Sequence, residues 1–158
     1  MLAVLFFVSV TVCVPFITHA SEALDAHSLI AFTNKDRESR GVKILVEDPL
    51  LNLAAERKAR DMAARGYFSH TTPNGKTPWS WLISLGYYYT KAGENLATNF
   101  GDSASVERAW MQSPTHRANI MENMYTRVGV GVAHGMYQGA PTTFVVQFFA
   151  TPYVEKRT

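Results

Sequence analysis

Two histidines and one glutamate stand in surroundings that suit chemistry as well as packing. His70 ends the string Gly66-Tyr67-Phe68-Ser69-His70, just past a long helical pattern. Loops after helices often display functional groups, although a loop histidine also serves as a hydrogen-bonded structural residue. Glu94 lies in Gly93-Glu94-Asn95-Leu96, flanked by glycine and strand-like residues. If it is buried it needs a partner, and a histidine or a bound cation would serve; otherwise it is an exposed strand glutamate. His116 follows Ser113-Pro114-Thr115. With Ser113 as N-cap it falls in the first helical turn, where the positive end of the helix dipole disfavours imidazolium. A neutral imidazole ligates metal or accepts a proton, or here simply caps or packs. His19, His27 and His134 have plainer surroundings, and no motif supports Glu107 or Glu122 as a general base.

The elements that must position these residues are marked by one recurring device. Asp48-Pro49, Thr77-Pro78 and Ser113-Pro114 each place a capping residue before a proline at the first helical position. After Asp48-Pro49, Leu51, Ala55, Ala59 and Met62 recur at helical spacing, with Glu56, Arg57, Arg60 and Asp61 largely on other faces, up to Gly66. Further helices are expected from about Asp25 to Arg40, Trp79 to Ser84 and Ser103 to Met111. The period then changes: Val128, Val130 and Val132 alternate with small residues, and Thr142 to Phe149 reads as their partner strand. A loop holding Gly135, Gly139 and Pro141 joins them as an antiparallel hairpin, and a further strand covers Tyr89 to Asn99. Helices first and a hairpin last predict an α+β fold. The tryptophans Trp79, Trp81 and Trp110 are expected in the core.

Composition narrows the function classes. The 158 residues are 47% hydrophobic and 18% charged, which fits one globular domain. A net charge of +2 with no lysine/arginine run argues against nucleic acid as a partner. Cys13 is the single cysteine, so no disulfide forms within the chain and any metal must be held by nitrogen and oxygen. Residues 1–20 are apolar, carry no charged side chain and end in Thr18-His19-Ala20, before Ser21, Glu22 and Asp25. They read as a signal peptide cut near Ala20 or, uncleaved, as an N-terminal membrane anchor. Residues 21–158 form the domain, and the expected location is secreted/extracellular or membrane-anchored.

Taken in order, four strings carry a resemblance: Asn34-Lys35-Asp36-Arg37 leading to Asp48-Pro49-Leu50-Leu51; Phe68-Ser69-His70; Gly93-Glu94-Asn95-Leu96-Ala97; and Trp110 to Ile120 followed by Val128-Gly129-Val130-Gly131. From about Leu29 to Tyr153 the chain resembles the bacterial form of the CAP superfamily, the SCP-like domains of cysteine-rich secretory, antigen 5 and pathogenesis-related proteins. The resemblance implies an α-β-α sandwich with a small antiparallel sheet between helices. It implies that His70, Glu94 and His116 converge in one open cleft, with Arg117 lining it or pairing with a carboxylate, and that Asn95 and Asn119 are structural. Eukaryotic relatives complete a tetrad with a second glutamate, for which this chain shows no counterpart. Two imidazoles and one carboxylate remain, a set that holds catalytic zinc with an open position, so a divalent cation such as zinc is the cofactor to test. Three functions follow: an extracellular binding module for a lipid or sterol, a cell-wall component or a protein; a zinc-dependent hydrolase using the same cleft; or a membrane-anchored structural surface protein.

Overall fold

The computed structural model describes residues 23–154. The segment 1–20, with Cys13, His19 and the expected boundary at Ala20, lies outside the described residues.

Capping chemistry sets the helix limits. α1 (Ala26–Glu38) begins where the Asp25 carboxylate accepts from the Ser28 N–H. α2 (Pro49–Arg65) begins where Asp48 accepts from the N–H groups of Leu50 and Leu51, and ends at Gly66 in the left-handed region, whose N–H donates to the Met62 carbonyl. α3 spans Trp79–Ile83, α4 spans Ser103–Gln112 behind an Asp102 cap, and α5 spans Pro114–Met121. Two of the expected caps are not made. The Thr77 carbonyl accepts from the Ser80 N–H, its hydroxyl meets the Ser80 hydroxyl and no backbone N–H, and α3 starts without a side-chain cap. Ser113 flanks α5 as expected, but its hydroxyl meets the imidazole of His116 and caps no backbone N–H.

Four strands form one sheet in the order β1-β3-β4-β2, where β1 is Val46–Glu47, β2 Tyr89–Thr98, β3 Arg127–Tyr137 and β4 Ala140–Pro152. The pairs β3/β4 and β4/β2 are antiparallel, while the short β1 lies parallel to β3. The predicted hairpin is present but tighter than expected. Both strands run through Gly135 and Pro141, leaving Gln138-Gly139 as the whole turn, with φ of 51° and 83°. Two consecutive positive φ values match the right-handed twist of the strands they join.

Period-two alternation on β4 builds two cores. Phe144, Val146, Phe148 and Ala150 pack with Leu51, Ala55, Ala59 and Met62 of α2. Val145 and Phe149 pack on the other face with Leu29, Val106, Trp110 and Ile120 from α1, α4 and α5. The result is the expected α-β-α sandwich. α2 seats closely on β3 because glycines lie beneath it. A Cβ at Gly129 would collide with the backbone at Leu51–Asn52, and one at Gly131 with the backbone at Ala55–Glu56. That seating fixes the height and rotation of α2, and so the reach of its side chains toward the sheet edge.

Candidate functional site

β2 is an edge strand of the sheet, and the site is built over it. Glu94 shares the α2 side of β2 with Leu96, and its side chain is only 2% exposed. Beneath it, Lys58 of α2 is completely buried and donates from Nζ to Glu94 Oε2 at 2.5 Å and to the His70 backbone carbonyl at 2.6 Å. The other carboxylate oxygen, Oε1, lies 2.5 Å from His70 Nδ1. A carboxylate brings no proton to such a contact, so the proton sits on Nδ1 and leaves Nε2 for the cleft that His70 lines. The His70 side chain is 58% exposed, whereas its partner is buried. Burial pushes the Lys58 ammonium below the ordinary lysine value, and the charge and hydrogen bond of Glu94 act against that.

The opposite wall is the start of α5. His116 Nδ1 lies 2.9 Å from Ser113 Oγ, and its ring packs against Trp110 at 6.4 Å between centroids. Its pKa is lowered, first by burial and then by His70 across the cleft, so the neutral imidazole is favoured. Asn119 donates to the Glu94 backbone carbonyl and to Asn95 Oδ1. Asn95, fully buried, donates to the His116 carbonyl and to Gln147 Oε1. The two asparagines therefore hold backbone in place, as expected, and Asn119 lines the cleft as well.

His70, Glu94 and His116 thus line one open cleft, with Trp79, Thr115 and Asn119. Arg117 is not among its lining residues. It is exposed and borders a separate groove with Met111, Gln112 and Met121, because successive helical residues point about 100° apart. Trp79 is a second departure. Only Trp110 is a fully buried core tryptophan; Trp79 is half-buried on the cleft wall, its ring 6.1 Å from that of Tyr89. Glu107 and Glu122 stand elsewhere: Glu107 is buried against Thr33 of α1, and Glu122 is paired with Lys91.

Lys58 is the functional residue that sequence reasoning missed. A signal was present. Leu51, Ala55, Lys58 and Met62 fall on one helical stripe, and a lysine in an apolar stripe needs a buried counter-ion. Its presence bears on the zinc expectation. Both Glu94 oxygens already accept hydrogen bonds, one of them from a cation, and both histidines spend Nδ1 inside the protein. Among the described residues no three metal-capable side chains stand together as a ligand set. The His70/Glu94/His116 donor set as arranged does not fit a three-ligand zinc site. What it can do is present two imidazole edges and an aromatic face, oriented by a buried ion pair.

Known proteins resemble this chain in sequence and, where solved, in fold. The protein YkwD of Bacillus subtilis is 35% identical over 116 residues, which cover 72% of this chain and 45% of YkwD. The membrane protein YlbC of the same organism is 29% identical over 109 residues, 69% of this chain and 32% of YlbC. The chain therefore spans less than half the length of these relatives. An extracellular protein containing a SCP domain from Bacillus anthracis superposes with a TM-score of 0.68 at 28% identity, over 80% of this chain and 40% of that one. The profile of the family described as cysteine-rich secretory protein family, CAP, matches residues 30–149, and on that match and these likenesses the chain belongs to the CAP family, in its bacterial SCP-like form.

Proposed function

We propose that this protein acts as an extracellular binding module, and that the His70/Glu94/His116 cleft is where its ligand sits. One observation carries the reading. A buried ion pair and a run of buried amides are arranged to orient two imidazoles at an open surface, where an apolar core would be easier to stabilise. The ligand in view is polar, received by imidazole nitrogens and the Trp79 side chain. Export is supported by the apolar segment 1–20 and by the extracellular Bacillus anthracis relative, while the membrane relative YlbC supports the anchored alternative. The zinc-hydrolase reading is weakened by Lys58, which sits where a cation would compete for Glu94.

Titrations of the purified ¹⁵N-labelled chain test this, with three probes kept separate: disaccharide-peptide fragments of peptidoglycan, phosphatidylglycerol vesicles and a soluble sterol sulfate. Amide shifts centred on His70, Gly93 to Asn95 and His116 in one arm, lost in a His70→Ala/His116→Ala variant, are the expected result. Shifts confined to surfaces away from the cleft, or none in any arm, would sink the proposal.

A further inference from the structure

We infer that Lys58 is a built-in cation that takes the place of a metal ion beneath this cleft, and that it is the residue deciding whether the cleft accepts divalent metals. The inference deepens the binding-module reading and rests on it for one consequence, that the ligand is held without a metal bridge. The counter-ion role itself stands on geometry alone.

Lys58 does the mechanical work of a resident ion. Its Nζ joins three chain segments: α2, which carries it; the loop after α2, through the His70 carbonyl at 2.6 Å; and β2, through Glu94 Oε2 at 2.5 Å. It is also placed where an ion would act electrically. The Lys58 and Glu94 side chains are 0% and 2% exposed, so each is the other's principal compensation for lost hydration. A divalent ion at Glu94 would have to displace the ammonium from Oε2 or His70 from Oε1, or share one buried carboxylate with a second cation. Like charges so close, out of water, repel strongly. His70 fits the same picture. It bonds Glu94 through Nδ1, the outer-sphere contact that orients a histidine whose other nitrogen faces outward, so Glu94 lines the cleft but spends both carboxylate oxygens on Lys58 and His70. The close seating of α2 over Gly129 and Gly131 keeps the lysine from sliding away from its partner.

The inference makes an unusual demand: removing a positive charge should create a metal site. Lys58→Met keeps much of the side-chain bulk and releases one oxygen of Glu94. The test is zinc titration calorimetry at pH 7.5 on the full chain, with thermal melts with and without zinc. Four proteins are compared: wild type, His70→Ala, Lys58→Met and Lys58→Met/Glu94→Gln. Wild type is expected to bind zinc no better than His70→Ala. Lys58→Met should bind at least tenfold tighter than wild type, and Glu94→Gln in that background should cancel the gain. Should Lys58→Met be unfolded without metal, zinc should restore its far-ultraviolet circular dichroism while leaving Lys58→Met/Glu94→Gln unchanged. Two results overturn the inference. One is stoichiometric zinc on the wild type that His70→Ala removes. The other is a Lys58→Met protein that zinc neither binds more tightly than wild type nor refolds.

Discussion

Glu94 and Glu107 are both buried carboxyl groups, one on each face of the sheet, and the protein treats them in opposite ways. Glu94 accepts from a lysine on one oxygen and a histidine on the other. Glu107 accepts from a single hydroxyl, Thr33 Oγ1 at 2.8 Å, and its Oε1 has no partner among the described residues. Burial pushes the Glu107 pKa up to about 7, with Asp36 adding to the rise and Thr33 and Arg40 opposing it. Equal burial therefore does not mean equal chemistry. The cost of desolvating a carboxylate is met by a fixed cation on the cleft side and by proton uptake on the other. The two are also joined. Asn119, Asn95, Gln147 and Thr33 donate in one direction from the cleft to Glu107.

The largest effect expected from breaking this contrast is at Lys58. Lys58→Ala leaves Glu94 buried with one oxygen stripped, and should cost about 3–5 kcal/mol in urea unfolding at pH 7. Adding Glu94→Gln should recover most of that loss. A cost below about 1 kcal/mol, within the range of exposed pairs, would mean that the pair carries no such burden.

Glu107→Gln comes next and has the opposite sign. The folded state binds the Glu107 proton more tightly than the unfolded chain, since its pKa rises from 4.5 to about 7. This group's contribution is therefore fully present below pH 4.5 and is lost as pH climbs through 7, a swing on the order of 3 kcal/mol. Glu107→Gln keeps an acceptor for Thr33 but cannot ionise. It should be close to neutral at pH 4.5, more stable than wild type by on the order of 3 kcal/mol at pH 8, and flatter in between. Identical pH profiles for the two proteins would dissolve the contrast with Glu94.

Two smaller effects sharpen the cleft side. His70→Ala should cost about 1 kcal/mol, the worth of one hydrogen bond to a buried group. It should also move the His116 pKa upward, since His70 is one of the two causes holding it down; histidine NMR titration reads this directly. Because His116 is depressed in the fold, its share of stability is lost as pH falls through 6.5 and below. Last, Ser113→Ala should change stability by only a few tenths of a kcal/mol, against about 1 kcal/mol for Asp48→Ala, because only Asp48 caps backbone N–H groups. A Ser113 cost equal to that of Asp48 would show the hydroxyl working as a cap.

Much of this architecture was legible in the sequence where local chemistry dictates it. Asp48-Pro49 and Gly66 bound α2 because caps and left-handed glycine act within a few residues. The valine and glycine alternation fixed β3 for the same reason. The parallel β1 was not legible, since two residues carry no period. The resemblance located His70, Glu94 and His116 in one cleft. It did not show that Ser113 would serve His116 in place of the helix, nor that Trp79 would line the cleft wall, because both depend on contacts between distant segments. Lys58 sat in plain view on an apolar stripe, yet its partner lies 36 positions away and no spacing rule reaches that far.

The two-residue turn at Gln138-Gly139 also bears on the order of events in folding. β3 and β4 are joined by the shortest of connections, so their pairing closes a small loop and forms on the microsecond scale of a hairpin. β2 must find β4 across the intervening α4, α5 and β3, a much larger loop whose closure entropy slows the encounter. The expected sequence is therefore hairpin first, α2 onto its glycine face next, and the edge strand last. Glu94 arrives with that last strand. Until it does, Lys58 has no counter-ion, so the tip of its side chain must stay hydrated and the helix cannot settle fully onto the sheet. Pulse-labelled hydrogen exchange should find the amides of β3 and β4 protected before those of β2, with the cleft assembled only in the final step.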